Sequence, residues 1–441
     1  MTSRPRTQAL RHGRRADEEV GRLRPLRTGL AVVGLALIAV ATLSPAADPR
    51  HLSLATPIWC LICGEEGAAD VVANLLLFLP FAIGLRLSGV SWRRTVVAAA
   101  AVSFTVELLQ LTVIPGRDAS LSDLLTNTTS GAIGAALTAY FPAMLAPTPR
   151  RARALLAGGA AVWLAALSLS AWLLAPGVPD GSMLSMRPHV PRAPDVFGGR
   201  VDRVELNGRA MPLYGSPPDS AGLRRRLERG TFAVDAGVLS GRPVPDRSWI
   251  YLLLVGTRST LTLFQDGREA GLELPARGLR FRLRAVTFTL ADGLPAMAGV
   301  PVRLRATGRG REFRLSSAYA GVQRSIEFGL SPATGWMLVA PFDPPAGWAR
   351  WITGLCLVAT LLPLGYWGRG SGRPVAALAL LAAVLAAGLA GLPALGGFPP
   401  VHWSEWVAGG AGMAAGWAAG QFAAYLQRRC ASPSDSDSSS S

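Results

Sequence analysis

Asp70 and Asn74, Glu107 and Gln110, and Arg117, Asp118, Asp123 and Asn127 are the residues of this chain whose types and spacing could do chemistry. Asp70/Asn74 and Asp123/Asn127 are four apart and Glu107/Gln110 three apart, spacings that put both members of a pair on one face of a helix. Each pair lies near the end of an apolar segment, where an ionisable group is costly unless it has a partner or a use. Carboxylates held close together push their proton affinities apart, as a general acid and base require. An arginine beside them grips a phosphate with forked geometry, and carboxylates within a membrane can relay protons or ions. The same groups can also act as glue between helices, at roughly 1 kcal/mol per hydrogen bond.

The elements that must position them are membrane helices. Half the residues are apolar and 16% are charged, against about 25% charged in soluble domains. A bilayer crossing needs roughly 20 apolar residues. Windows of that kind fall at 28–44, 68–87, 94–114, 121–141, 154–175, 349–367, 374–395 and 404–426, so the expectation is a mainly α polytopic protein with about eight transmembrane helices. The first window resembles a signal peptide, with basic residues before it and Ser44-Pro45-Ala46-Ala47 after it, but the spans downstream favour an uncleaved first helix.

The arginines set the orientation. All 44 basic residues are Arg, and the absence of Lys, with abundant Ala, Gly and Pro, suggests a GC-rich bacterial genome. Those at 4–27, Arg86, Arg93, Arg94, Arg150, Arg151, Arg153, Arg369, Arg373, Arg428 and Arg429 fall on one side of the predicted topology, which should be the cytoplasm. The net charge of +16 then reads as a topology signal and contact with anionic headgroups rather than nucleic-acid binding. Both termini are expected inside, and the polar pairs converge on the outer leaflet.

Residues 180–345 differ in character and predict an inserted, extracytoplasmic all-β sandwich. Leu279-Arg280-Phe281-Arg282-Leu283-Arg284, Thr287-Phe288-Thr289-Leu290 and Val302-Arg303-Leu304-Arg305 alternate with period two, as half-buried strands do. Asp266-Gly267, Asp292-Gly293 and Gly308-Arg309-Gly310 are turn signals. Trp249 to Val255 is too short to span a bilayer and reads as a buried strand. The remaining organisation expected is a basic disordered arm at 1–27, a four-helix unit at 28–141, a fifth helix with flanks at 142–179, three helices within 346–427, and a disordered Ser/Asp tail at 428–441.

Asp70-x3-Asn74-x3-Phe78-x-Pro80-x3-Gly84, Glu107-x2-Gln110 and Arg117-Asp118-x4-Asp123-x3-Asn127-x3-Gly131-x2-Gly134 resemble the VanZ-like family of bacterial membrane proteins, over about residues 28 to 141. The resemblance implies an envelope protein associated with low-level resistance to the glycopeptide teicoplanin, the property linked to the founding member, with no reaction assigned to the family. The 180–345 segment, in Thr231-Phe232-Ala233-Val234 and Leu261-Thr262-Leu263-Phe264-Gln265, is loosely similar to concanavalin-like or laminin-G-like sandwiches, which implies no particular binding residue.

Other motifs carry less. Cys60 and Cys63 form a CxxC in an expected outer loop, where oxidation permits a disulfide; Cys356 and Cys430 stand alone. His12, His51, His189 and His402 show no ligand spacing, so no metal or cofactor is expected. Ser404-Glu405 followed by Gly416 echoes Ser122-Asp123 followed by Gly134, with Gly409 where Asn127 would stand. Gly412, Gly416 and Gly420 recur every fourth residue, the mark of a close helix-packing face.

Three functions remain open. The cluster recognises a lipid-linked cell-wall precursor or a glycopeptide, with the β-domain contributing affinity for glycan; or it acts on a lipid headgroup, Glu107 or Asp123 serving as base and Arg117 holding phosphate; or the protein is an ion-coupled transporter.

Overall fold

The computed structural model describes residues 28–44, 59, 62, 66–114, 119–187, 197–243, 247–256, 258–345 and 347–431. The N-terminal arm, the Ser/Asp tail from 432, Cys60, Cys63, Arg117, Asp118, His12, His51 and His189 lie outside the described residues. The chain divides into two compact units, Met1–Pro142 and Ala143–Ser441.

In the first unit α1 (Thr28–Leu43), α2 (Gly67–Leu87), α3 (Trp92–Thr112) and α4 (Leu121–Leu145), which runs on past the boundary, pack side by side. Ile38, Phe78, Phe81, Ala99 and Val106 form their core. Val97, Phe104, Leu108 and Leu111 of α3 stay exposed, as lipid-facing residues do. Lipid is as apolar as leucine, so helices associate there by close packing at small residues. A Cβ on Gly34 of α1 would lie 2.5 Å from the Phe81 amide nitrogen of α2, and one on Gly131 of α4 2.5 Å from Ala99 Cβ of α3. Gly84 of α2 abuts the Ala31 backbone of α1, and Gly134 of α4 meets Ala82 of α2. Three of the motif glycines are therefore helix contacts.

The second unit contains α5 (Pro149–Leu173), α7 (Ala349–Gly370), α8 (Pro374–Ala386), α9 (Leu392–Gly396) and α10 (Trp403–Ala431). A π turn at Ala387–Gly391 joins α8 to α9. It precedes Pro393, whose missing N–H interrupts the hydrogen-bond ladder. Leu156, Trp163, Leu357, Leu361, Leu381 and Met413 belong to one core. Gly412, Gly416 and Gly420 of α10 face the α7 backbone: a Cβ on Gly412 would sit 2.7 Å from the Val358 carbonyl oxygen.

Among the described residues five helices are long and apolar enough to cross a membrane: Gly67–Leu87, Trp92–Thr112, Pro149–Leu173, Ala349–Gly370 and Pro374–Gly396. Of the expected count of about eight, five are thus shown. Thr28–Leu43 is a shorter apolar helix. The other two are long enough, at 25 residues for α4 and 29 for α10. The polar run Thr126-Asn127-Thr128-Thr129-Ser130 dilutes α4, and Gly, Ser, Glu and Gln dilute α10.

Between α5 and α7 lie two six-stranded antiparallel sheets, ordered β4-β1-β6-β7-β8-β9 and β12-β11-β10-β5-β2-β3. The strands are β1 Met183–Met186, β2 Arg200–Leu206, β3 Arg209–Ala210, β4 Tyr214–Gly215, β5 Phe232–Leu239, β6 Ser248–Val255, β7 Arg258–Asp266, β8 Glu269–Leu274, β9 Val286–Leu290, β10 Pro301–Arg309, β11 Glu312–Tyr319 and β12 Val322–Gly329. One helix, α6 (Ser220–Glu228), interrupts them. Alternation works as expected in β10, where Val302, Leu304 and Ala306 point inward and Arg303, Arg305 and Arg309 outward. Phe288 of the first sheet stacks on Phe328 of the second, ring centroids 5.4 Å apart, closing the sandwich. At the β7–β8 turn Gly267 takes φ 55, the left-handed conformation that a tight hairpin needs after Asp266.

The run Leu279–Arg284 is not a strand. Arg277–Phe281 is a 3-10 helix and Arg282 adopts φ 57. Two of its arginines serve backbone acceptors: Arg280 donates to the Val178 carbonyl at 3.0 Å and Arg284 to the Ala340 carbonyl at 2.6 Å. A two-residue period cannot distinguish a wet strand face from guanidinia that satisfy loop carbonyls.

Candidate functional site

At one end of the first unit's bundle, where α2 and α4 begin and α1 and α3 finish, polar side chains join all four helices. Asn74 Nδ2 of α2 donates to Asp123 Oδ1 of α4 at 2.9 Å. One turn along α4, Asn127 is 2% exposed and donates through Nδ2 to Ser103 Oγ of α3 at 3.0 Å. Ser103 Oγ in turn reaches the Asp123 carbonyl at 3.5 Å. One turn further, Ser130 donates its hydroxyl hydrogen to the Leu75 carbonyl of α2 at 2.5 Å. A single face of α4 thus engages α2 and α3.

Glu107 and Gln110 hold the other two helix ends. Glu107 Oε2 accepts the backbone N–H of Ser120 at 2.6 Å, immediately before α4. The first N–H groups of a helix have no partner within it and carry the positive end of its dipole, so a carboxylate there is well placed. Gln110 Nε2 donates to the Thr42 carbonyl of α1 at 3.0 Å, one of the last carbonyls that α1 leaves without an internal donor. Asp70 lies exposed in the first turn of α2, one turn before Asn74.

Among the described site residues the structure therefore brings Asn74 directly onto Asp123, while Asn127, Glu107 and Gln110 reach the same end through other groups. Those intermediaries, Ser103, Ser120 and Thr42, were not singled out from the sequence. A signal existed for one of them and for Ser130: Ser103-x3-Glu107-x2-Gln110 and Asp123-x3-Asn127-x2-Ser130 share a four-then-three spacing along one helix face. Hydroxyls are cheap enough in membrane helices that the pattern does not stand out by composition.

The network leaves one acceptor without a donor among the described residues. Asn127 Oδ1 is buried and among the described residues has no hydrogen-bond partner, a situation that costs about 1–3 kcal/mol in an unliganded core. It sits one turn from the Asp123 carboxylate, so two acceptors share one face of α4. Among the described residues no group of three or more His, Cys, Asp or Glu side chains is placed to hold a metal ion.

Comparisons with curated proteins and with solved structures gave no match. Residues 23–142 match the model of the VanZ/LLP1 family. This stretch contains the polar network and the glycine contacts that hold α1 to α4 together. The chain thus carries a VanZ-like domain over residues 23–142, within a multi-pass membrane protein that also has a two-sheet β region.

Proposed function

We propose that the polar end of the VanZ-like domain recognises the head of a lipid-linked envelope component or a glycopeptide, and that the protein acts in glycopeptide tolerance of the teicoplanin type. Asn74, Asp123 and Asn127 form the centre of this site, Glu107 and Gln110 hold its walls, and Asp70 belongs to its rim. The observation that carries the proposal is the orphaned Asn127 Oδ1, 2% exposed on a polar helix face. A buried acceptor without a donor is expensive, and a ligand hydroxyl or amine would remove that cost. The distribution of arginines in the sequence supports an orientation with this end at the outer leaflet and the β region outside the cell, where envelope precursors and glycopeptides meet the membrane. Glu107 is occupied as the N-terminal anchor of α4, which favours a positioning role over that of a general base.

The test is tolerance. Cells producing Asp123→Asn or Asn127→Leu at the same membrane abundance as the parent protein should lose teicoplanin tolerance. Unchanged tolerance in both would contradict the proposal.

A further inference from the structure

The second unit holds a cavity of ≈ 520 Å³ between strands β10 to β12 and the N-terminal ends of α7 and α10, a size typical of small-molecule sites. Its lining includes Glu405, which is 8% exposed. Ser331 Oγ donates to Glu405 Oε2 at 2.9 Å. Among the described residues no donor reaches Oε1. The hydroxyls of Thr334 and Thr353 have given their hydrogens elsewhere, Thr334 to the Ser331 carbonyl at 2.7 Å and Thr353 to the Ala349 carbonyl at 2.8 Å. A largely buried carboxylate thus keeps one oxygen without a protein donor at the wall of the cavity, where an entering cation or donor can reach it.

Two arginines of the lining, which also holds Glu312 and Glu327, have the opposite need. Arg309 and Arg350 are exposed and line the same cavity, and among the described residues neither has an ion-pair partner. Arg314 differs, being 3.5 Å from Glu327. A ligand complementary to both features carries a positive donor for Glu405 and an anion for two guanidinia, whose forked geometry suits phosphate. The cavity opens where α7, a helix of membrane-crossing length, begins, the level at which a phospholipid presents such groups.

We infer that this cavity binds an ammonium-bearing phosphate, the aminoethyl phosphate group, with Glu405 taking the ammonium and Arg309 and Arg350 the phosphate. The site lies in the second unit and is independent of the function proposed for the VanZ-like domain.

The experiment is titration of the full-length, detergent-solubilised protein with dihexanoyl phosphatidylethanolamine, dihexanoyl phosphatidylglycerol and soluble O-phosphoethanolamine. The wild type should bind the ethanolamine lipid about tenfold or more tighter than the glycerol lipid, the scale of one charge-assisted hydrogen bond. Glu405→Gln should erase that preference. Arg309→Gln with Arg350→Gln should weaken both lipids alike by about tenfold or more. Competition by O-phosphoethanolamine would show that the free headgroup suffices; binding of the ethanolamine lipid without such competition would show that the ligand is the lipid itself. Equal binding of the two lipids by the wild type, or a preference that survives Glu405→Gln, would overturn the inference. If Glu405→Gln does not fold, the exposed arginine pair decides: unchanged affinity for both lipids overturns it.

Discussion

Asn74 on α2 and Asp123 on α4 are joined by a hydrogen bond of 2.9 Å between an amide and a carboxylate. This direct bond closes two helices that the chain separates by α3 and a loop. Together with the Ser130 hydroxyl on the Leu75 carbonyl, it attaches α4 to α2 by polar contacts where the surrounding surfaces are apolar.

A double-mutant cycle on Asn74→Ala and Asp123→Ala should give a coupling of about 0.6 kcal/mol, rising to roughly 1.7 kcal/mol at most, the range found for side-chain hydrogen bonds between membrane helices. Unfolding in mild detergent measures it. Additive losses would show that the two side chains contribute independently.

The glycines should divide by what a methyl group would meet. Gly84→Ala, against the Ala31 backbone, and Gly412→Ala, 2.7 Å from the Val358 carbonyl oxygen, should each destabilise by about 1–3 kcal/mol through overpacking. Gly29→Ala and Gly410→Ala, with nothing within 4 Å, should be neutral or gain up to about 1 kcal/mol from helix propensity. Thermal unfolding of the four variants separates the groups, and equal effects would refute the packing argument.

Much of this architecture is legible in the residues themselves. The alternation in Val302 to Arg309 survives into β10 because one face is buried against the opposite sheet and the other is wet. The polar pairs 70/74, 107/110 and 123/127 are visible because three- and four-residue spacing is a helix face. The sequence is silent where one residue type serves two purposes. Arg280 and Arg284 look like a strand's wet face but bind the carbonyls of Val178 and Ala340. Glu107, whose type and place suit a base, also receives the Ser120 N–H. The polar residues that build the network in α4 are also what take that helix below the apolarity of an unambiguous span.

Alkaline pH should act on the β region through Tyr251. Its side chain is 0% exposed, and burial pushes its phenol up to about 12, opposed by the hydrogen bond with Ser185 and the nearby Arg187 charge. A raised native value means that the folded protein keeps a proton which the unfolded chain, titrating near about 10, releases. The associated stability is intact below about pH 10 and is lost as pH rises towards about 12. In a phenolate absorbance titration, one of the six tyrosines should ionise late or only on unfolding. Tyr251→Phe should remove that late step, and its persistence would assign it to another tyrosine.

The central claim is that the Asp123–Asn127 face of the VanZ-like domain receives a ligand donor, and mass spectrometry of lipids retained by the gently purified protein tests it most directly. Asn127→Leu replaces the orphaned acceptor with an apolar side chain of similar size and also removes the Nδ2 donor to Ser103 Oγ, so a stability loss of about 1 kcal/mol is expected. The wild type should retain an envelope lipid that Asn127→Leu and Asp123→Asn lose while remaining folded. The same lipids retained at the same occupancy by all three proteins would contradict the account and leave the network as helix glue alone.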